Sequence, residues 1–332
     1  MHVHHHHTAE DFLSTVHPYI PEASANIVLA HAWGLKNTSA SAENLGGATG
    51  LAAMSKVPEN FWLTVWQTTD VASKSLVAVA ACVRGELGNC PIFLWSTRRE
   101  MLERAMNSVA DEIVAFLASR LLHTRVFSVF GNYSLVNAFT SAWIKRTGFR
   151  NFPEPYYHAS FLTCTIDTLT ASDGYIPEQD TVRMAGKGDL RVVSQMCEQF
   201  AKLSIHFPLS ADRAAFEASH MISHEQLFVY EHDSMITSIC AVTRETQNVV
   251  AITKVYTSPA FRKNGYAERL VRYVTRRMLL DRKKTAVVLY AGVENSARSV
   301  YERIGFRPPR PESETEAEVL EVGFIGTEKG HW

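Results

Sequence analysis

Arg262-Lys263-Asn264-Gly265-Tyr266-Ala267 follows an apolar, strand-like run, Val249 to Thr257, and opens a long amphipathic helix. Strand, basic glycine-containing turn and helix, in that order, suit a pyrophosphate. The first backbone N–H groups of a helix have no intrahelical acceptor, and the helix dipole adds partial positive charge at the same end. Gly265 and Ala267 leave room for phosphate oxygens to reach those amides, while Arg262 and Lys263 bring charge that pairs with them. Glycine beside basic residues is also common in ordinary turns, so the loop gains meaning from its surroundings. A β-rich run, Thr285 to Tyr290, comes after the helix. Then Asn295-Ser296-Ala297-Arg298-Ser299-Val300-Tyr301-Glu302-Arg303-Ile304-Gly305-Phe306 sets an Asn at the opening of a short helix, a Tyr on it and a Gly-Phe pair at its end.

In this order and spacing the two blocks resemble the GNAT (GCN5-related N-acetyltransferase) superfamily, whose Arg-x-x-Gly-x-Ala loop holds the pyrophosphate of an acyl-CoA. The two-part layout also resembles fungal GNAT-family proteins. The resemblance implies an α/β fold with a mixed, largely antiparallel sheet flanked by helices, acetyl-CoA as cosubstrate, and direct attack by an amine. It also implies that the strand carrying Val255 and Thr257 splays from its neighbour, so that its main chain pairs with the pantetheine arm. Arg262, Lys263, Asn264, Gly265, Tyr266 and Ala267 would hold the pyrophosphate. Asn295 either contacts the cofactor or caps its helix, a place Asn favours, and Arg298 would reach the phosphates.

Tyr301 occupies the position of the family's catalytic tyrosine. Attack on a thioester ends by expelling a thiolate, and a phenol near the sulfur can protonate it as a general acid; packing is the ordinary use of such a ring. The general base is not assigned by sequence: Glu231 ends a predicted strand, and His206 lies in the break between two helices, a region that borders the acceptor cleft in the family, and neither is assigned the role. Arg269, Arg272, Arg276 and Arg277 form a basic helix face, followed by Arg282, Lys283 and Lys284, and this face is either solvated or directed to cofactor phosphates. Hydrolase, zinc-protease, redox Cys-x-x-Cys and dinucleotide fingerprints are missing. None of the five cysteines lies in the two blocks, in keeping with a mechanism without an acyl-enzyme. The rivals are a non-catalytic acyl-CoA-binding or scaffolding protein, and a tandem enzyme using a longer acyl-CoA. Polyamines, amino acids, aminosugars, aryl amines and peptide termini all remain possible acceptors.

At 332 residues, 46% hydrophobic and 20% charged, the chain suits two soluble domains. A net charge of −1 supplies no field toward nucleic acid, and no wide basic patch with aromatics is present, so no nucleic-acid partner is expected. Scattered cysteines argue for a reducing, cytoplasmic setting. No apolar run reaches the roughly 18 residues of a membrane span, so no membrane partner is expected, and a homodimer is consistent with the family. The start, Met1-His2-Val3-His4-His5-His6-His7, is of a type that binds metal, but residues 1–8 are expected to be a tag remnant or a disordered segment, with no metal site.

These motifs require elements to position them. Turn formers near Ser172-Asp173-Gly174 predict a boundary, with domains at 9–172 and 173–332. The second half reads as helices over Asp189–Leu203 and Ala211–Ile222, strands at Gln226–Glu231, Ile236–Thr243 and Val249–Thr257, the loop helix, a strand, the Tyr301 helix, and a last strand Glu318–Ile325 after an acidic loop, Pro311 to Glu318. The first half repeats this order less clearly: helices at Ala9–Val16 and Ala25–Gly34, a polar loop Asn37–Gly50, three strands, a helix Glu100–Leu122, a strand and a helix ending at Gly148-Phe149. Between its third strand and long helix stands Ser96-Thr97-Arg98-Arg99-Glu100-Met101, which has no glycine. The first half is therefore read as a degenerate GNAT-like domain that walls the acceptor cleft without holding a cofactor.

Overall fold

The computed structural model describes residues 1–44, 60–70, 73–97, 103–171, 175–204, 206–309 and 317–332. The expected boundary at Ser172-Asp173-Gly174, the whole Arg98–Met101 segment, the second part of the Asn37–Gly50 loop and most of the acidic Pro311–Glu318 loop fall outside these residues. Two compact units are present: Met1–Phe161 with Pro309–Trp332, and Leu162–Pro308.

The first unit contains β1 (His2–His6), α1 (Ala9–Val16), α2 (Asn26–Asn44), β2 (Phe61–Asp70), β3 (Ser73–Gly85), β4 (Gly88–Ser96), α3 (Glu103–Arg120), β5 (Ser128–Asn132), α4 (Tyr133–Thr147) and most of β6 (Tyr157–Cys164). The second contains β7 (Asp180–Met184), α5 (Leu190–Ala201), α6 (Ala211–Ser223), β8 (Leu227–His232), β9 (Met235–Thr243), β10 (Val249–Thr257), α7 (Tyr266–Arg276), β11 (Ala286–Gly292) and α8 (Arg298–Ile304). One more strand, β12 (Glu318–Gly323), closes the series. The order β-α-α-β-β-β-α-β-α-β thus occurs twice, and the mixed α/β class and doubled layout are those expected.

Three expectations are corrected. The His-rich start is ordered: β1 pairs antiparallel with β2 from His2↔Trp66 to His6↔Trp62. Its residues alternate, so His5 packs on Phe61 and Phe116 while His6 is fully buried beside Phe12, and these contacts outweigh the tract's low complexity. The last strand does not belong to the second unit. β12 pairs antiparallel with β5 and β6, giving the order β1-β2-β3-β4-β5-β12-β6, and Leu320, Val322 and Phe324 join a core with Phe139 and Trp143. The polar residues after Gly34 continue α2 to Asn44 rather than forming a loop.

In the second unit the strand order is β11-β10-β9-β8-β7, with only β10–β11 parallel. The apolar stripe of α7, Leu270, Val271 and Val274, packs on Phe228, Val250, Ile252 and Val287, as a helix covering one sheet face requires. Past Arg276 a wider turn runs to Asp281. Helix α8 stops at Gly305 (φ 123°), where a Cβ would lie 2.1 Å from the Thr168 carbonyl oxygen, so only glycine fits. No helix among the described residues is long and apolar enough to cross a membrane.

Candidate functional site

Strand β10 pairs with β9 as far as Thr257, with a bulge between Ile252 and Lys254. On its other edge the pairing with β11 runs only from Val249↔Ala286 to Ala251↔Val288. Among the described residues, Ile252–Thr257 have no β11 partner, so the strands part toward their C-terminal ends. An open strand edge offers main-chain N–H and C=O groups to an extended ligand, and Val255 and Thr257, both half-buried, lie on this stretch. The bulge also redirects side chains. Ile252 joins the cluster under α7, and without the extra residue Lys254 would share that face. Instead Lys254 and Tyr256 meet α5 and α6.

Because β10 and β11 are parallel, the loops leaving their C-terminal ends emerge at one edge of the sheet. The first is the basic loop. Lys263 (φ 66°) and Gly265 (φ 78°) are both left-handed, and Gly265 is the N-cap of α7. Such alternation gathers successive N–H groups into an anion-binding concavity. Arg262, Lys263, Asn264 and Gly265 are exposed, Ala267 half-buried and Tyr266 buried. Side chains brace the loop from within: Arg262 Nε donates to the Thr257 carbonyl at 3.2 Å and its guanidinium lies over the Tyr256 ring, Asn264 Nδ2 donates to the Phe261 carbonyl, and Arg269 Nη1 donates to the Asn264 carbonyl.

The second loop carries Asn295, whose Oδ1 accepts from the Ala297 N–H at 2.9 Å, so its side chain organises the turn into α8. Arg298 Nε is paired with Glu302 at 2.9 Å one turn on. Tyr301 is half-buried and edge-on to Phe306, 6.0 Å between centroids. Helices α7 and α8 are tied together by Glu268, which accepts from Arg303 at 2.7 Å and from Arg272 at 3.4 Å. Burial works against the Glu268 carboxylate, but these two guanidiniums outweigh it and hold its carboxyl below the usual range. Arg272 is therefore not part of an outward basic face. It is buried, and it also donates to Thr170 Oγ1 and the Arg303 carbonyl. Arg277 lies over Phe228, and Lys284 binds Glu245 and two carbonyls, so these cations are also used structurally. The structure thus brings Arg262 to Ala267 and Asn295 to Tyr301 to one edge of the sheet, next to the free stretch of β10.

Four polar groups here were not found by sequence. Lys254 donates to Glu217 of α6 and stands over the Phe200 ring, while Tyr256 donates to Gln199 of α5 at 3.0 Å. The one sequence signal was a lysine inside the apolar run Val249–Thr257. Glu231 is fixed by Arg183, 2.7 Å from Nη2, and the same guanidinium holds Asp189. His206 lies in the connection between α5 and α6, half-buried, and burial lowers its pKa from the ordinary imidazole value; its neighbour Ile205 is outside the described residues. Close to the loop, Asp180 accepts from Tyr230 and contacts His232 Nδ1 at 2.6 Å; the Tyr230 ring stacks on Tyr266 and the His232 ring lies tilted against it. All five cysteines are free and buried, and burial pushes the Cys82 and Cys197 thiols up to about 11, a poor state for a nucleophile.

Residues 223–308 match the family model described as an acetyltransferase (GNAT) domain. That segment spans β8 to α8 and includes the loop, Asn295 and Tyr301. Among solved structures, the chain is similar to a GCN5-related N-acetyltransferase from Sphaerobacter thermophilus, at 14% identity and TM-score 0.53, covering 96% of this chain and 94% of that one. It is also similar to a Drosophila protein at 9% identity and TM-score 0.63, with 96% of each chain covered. At these identities the likeness is one of fold. No curated protein matches the sequence.

Proposed function

We propose that this chain, which carries a GNAT acetyltransferase domain at residues 223–308, transfers an acetyl group from acetyl-CoA to a primary amine of a small molecule or peptide. The observation that carries the reading is the parting of β10 from β11 beside the left-handed Gly265 loop. An open strand edge suits the amide-bearing arm of the cofactor, and the loop suits its pyrophosphate, so the residues present fit the group. Acetyl-CoA supplies the activated thioester. Val255 and Thr257 pair with the arm through main chain, and the N–H groups from Lys263 to Ala267, with the charges of Arg262 and Lys263, hold the phosphates. Asn295 shapes the turn that presents α8, and Arg298 adds charge nearby. Tyr301 delivers its phenolic proton to the leaving sulfur.

The first unit supports a reading in which it holds no cofactor. There the ladder of the equivalent parallel pair, β4 and β5, also ends after three pairs, at Leu94↔Gly131, but beyond it the Ser96 N–H donates to the buried Asn132 Oδ1 at 2.8 Å and so takes up a main-chain donor at that opening. Likeness to fungal GNAT proteins, a cytoplasmic setting and a homodimer belong to the same proposal and rest, in turn, on the layout and motifs, on the scattered cysteines and on the family resemblance.

Calorimetric titration with acetyl-CoA, followed by a thiol-release assay over polyamines, amino acids, aminosugars, aryl amines and peptides, tests the reading. Micromolar binding with amine-dependent thiol release is the expected result. Binding without release for any amine, or with a preference for a longer acyl-CoA, would favour a binding protein or another donor instead.

A further inference from the structure

The ordered histidine start has a consequence independent of acyl transfer. Along β1, His4 and His6 project to one face and His5 and His7 to the other, with ring centroids 4.4 Å apart in the first pair and 3.9 Å in the second. The second face is apolar where it is covered, by Phe61 and Phe116. The first meets the opening turn of α1, where Thr8 accepts from the Asp11 N–H and so fixes Asp11 opposite the strand. His6 Nδ1 lies 2.7 Å from Asp11 Oδ2, and one donor atom from each of His4, His6 and Asp11 falls within 4.8 Å of the others.

We propose that His4, His6 and Asp11 bind one zinc ion, with solvent in the remaining position. Imidazole nitrogen and carboxylate oxygen are ligands that zinc takes at about 2.0–2.2 Å, which sets donor atoms about 3.3 Å apart in a tetrahedral site. His6 is the fixed member, fully buried. His4 is exposed and Asp11 is half-exposed on its side chain, so these two can adjust by the ångström needed. The support behind His6 is built for either state. Thr64 Oγ1 lies 2.9 Å from His6 Nε2 and also accepts from Trp66 Nε1 at 2.9 Å. Without metal, the Thr64 hydroxyl donates to Nε2 and Nδ1–H donates to Asp11. With metal, Nδ1 gives its lone pair to zinc, and Nε2–H donates to Thr64, whose two lone pairs serve both His6 and Trp66. The imidazole then changes tautomer. Bound zinc would tie the edge strand β1 to α1.

The test uses the whole chain, stripped with chelator and titrated with zinc alone, with bound metal counted by mass spectrometry and thermal melting followed in parallel. One zinc per chain at micromolar affinity and a raised melting temperature are expected. Asp11→Asn and His4→Gln should each weaken binding at least tenfold, while His7→Gln, on the opposite face, should leave it within twofold. Circular dichroism of each variant checks that it folds. Equal loss from His7→Gln and His4→Gln would mean that the tract binds as a flexible run, and the proposal would fall. It would fall equally if Asp11→Asn bound zinc like the parent or if no stoichiometric zinc were retained.

Discussion

The proposed reaction rests on one hydroxyl and one backbone position. Tyr301→Phe keeps the ring on Phe306 and removes the hydroxyl proposed as proton donor. It is expected to lower kcat by about 10²-fold or more while the acetyl-CoA dissociation constant stays within twofold; single-turnover rates with calorimetry read both, and an unchanged kcat would remove Tyr301 from the chemistry. Gly265 has φ 78° at the N-cap of α7, a conformation that costs an L-residue roughly 1–2 kcal/mol. Gly265→Glu adds to that strain a carboxylate where phosphates should sit. It is expected to abolish acetyl-CoA binding without loss of secondary structure, as read by titration and circular dichroism. Full affinity in a folded variant would move the phosphate site elsewhere. The lone lysine at 254 acts differently: its ammonium is already matched by Glu217, so Glu217→Gln should disturb folding through an unpaired buried cation rather than through cofactor affinity.

At the scale of elements, the second unit is held by ties between segments far apart in sequence. Arg183 on β7 joins Glu231 on β8 and Asp189 at the start of α5. Hydrogen bonds from Arg183, aided by the Gly186 N–H, outweigh burial and keep the Asp189 carboxyl below its ordinary value of 3.8. A carboxyl depressed in the folded state binds its proton more readily when unfolded. Its contribution is therefore present above about pH 3.8 and fades as pH falls through the lower folded value. Asp189→Asn should lower stability by about 1 kcal/mol at pH 7, a modest figure because Arg183 is partly solvated. The two proteins should converge in strong acid. Hydrogen exchange of the β7 and β8 amides in urea, at pH 7 and pH 3, measures this; a deficit of the same size at both pH values would contradict the linkage. These ties also mark the limit of sequence reading here. The loop from Arg262 to Ala267 and the turn from Asn295 to Tyr301 were legible because each is written in consecutive residues with its own local geometry. Partners such as Asp180 with Tyr230, or Glu217 with Lys254, depend on register and on a bulge set by tertiary packing.

At the scale of the whole molecule, alternation and turn residues revealed two runs of the same elements but not where the last strand goes. β12 is an ordinary apolar strand, and nothing within Glu318–Gly323 tells it to pair with β5 rather than with strands nearer in sequence; β5 and β6 together offer it two ladders and a core. The edge strand β1 escaped for a related reason, since histidines have no strong strand preference and only the aromatic neighbours make them one. The placement of β12 can be tested with the protein's own probes, because Trp33, Trp62, Trp66, Trp95, Trp143 and Trp332 all belong to the first unit. Val322 on β12 is 6% exposed in the same core as Trp143. Val322→Asp buries an unpaired carboxylate there and should destabilise the first unit by about 3 kcal/mol or more, seen as an earlier tryptophan-fluorescence transition in urea. If the last strand completed the second unit instead, the tryptophan transition would stay in place and the loss would appear in acetyl-CoA binding, because the proposed cofactor loop and Tyr301 lie within Leu162–Pro308.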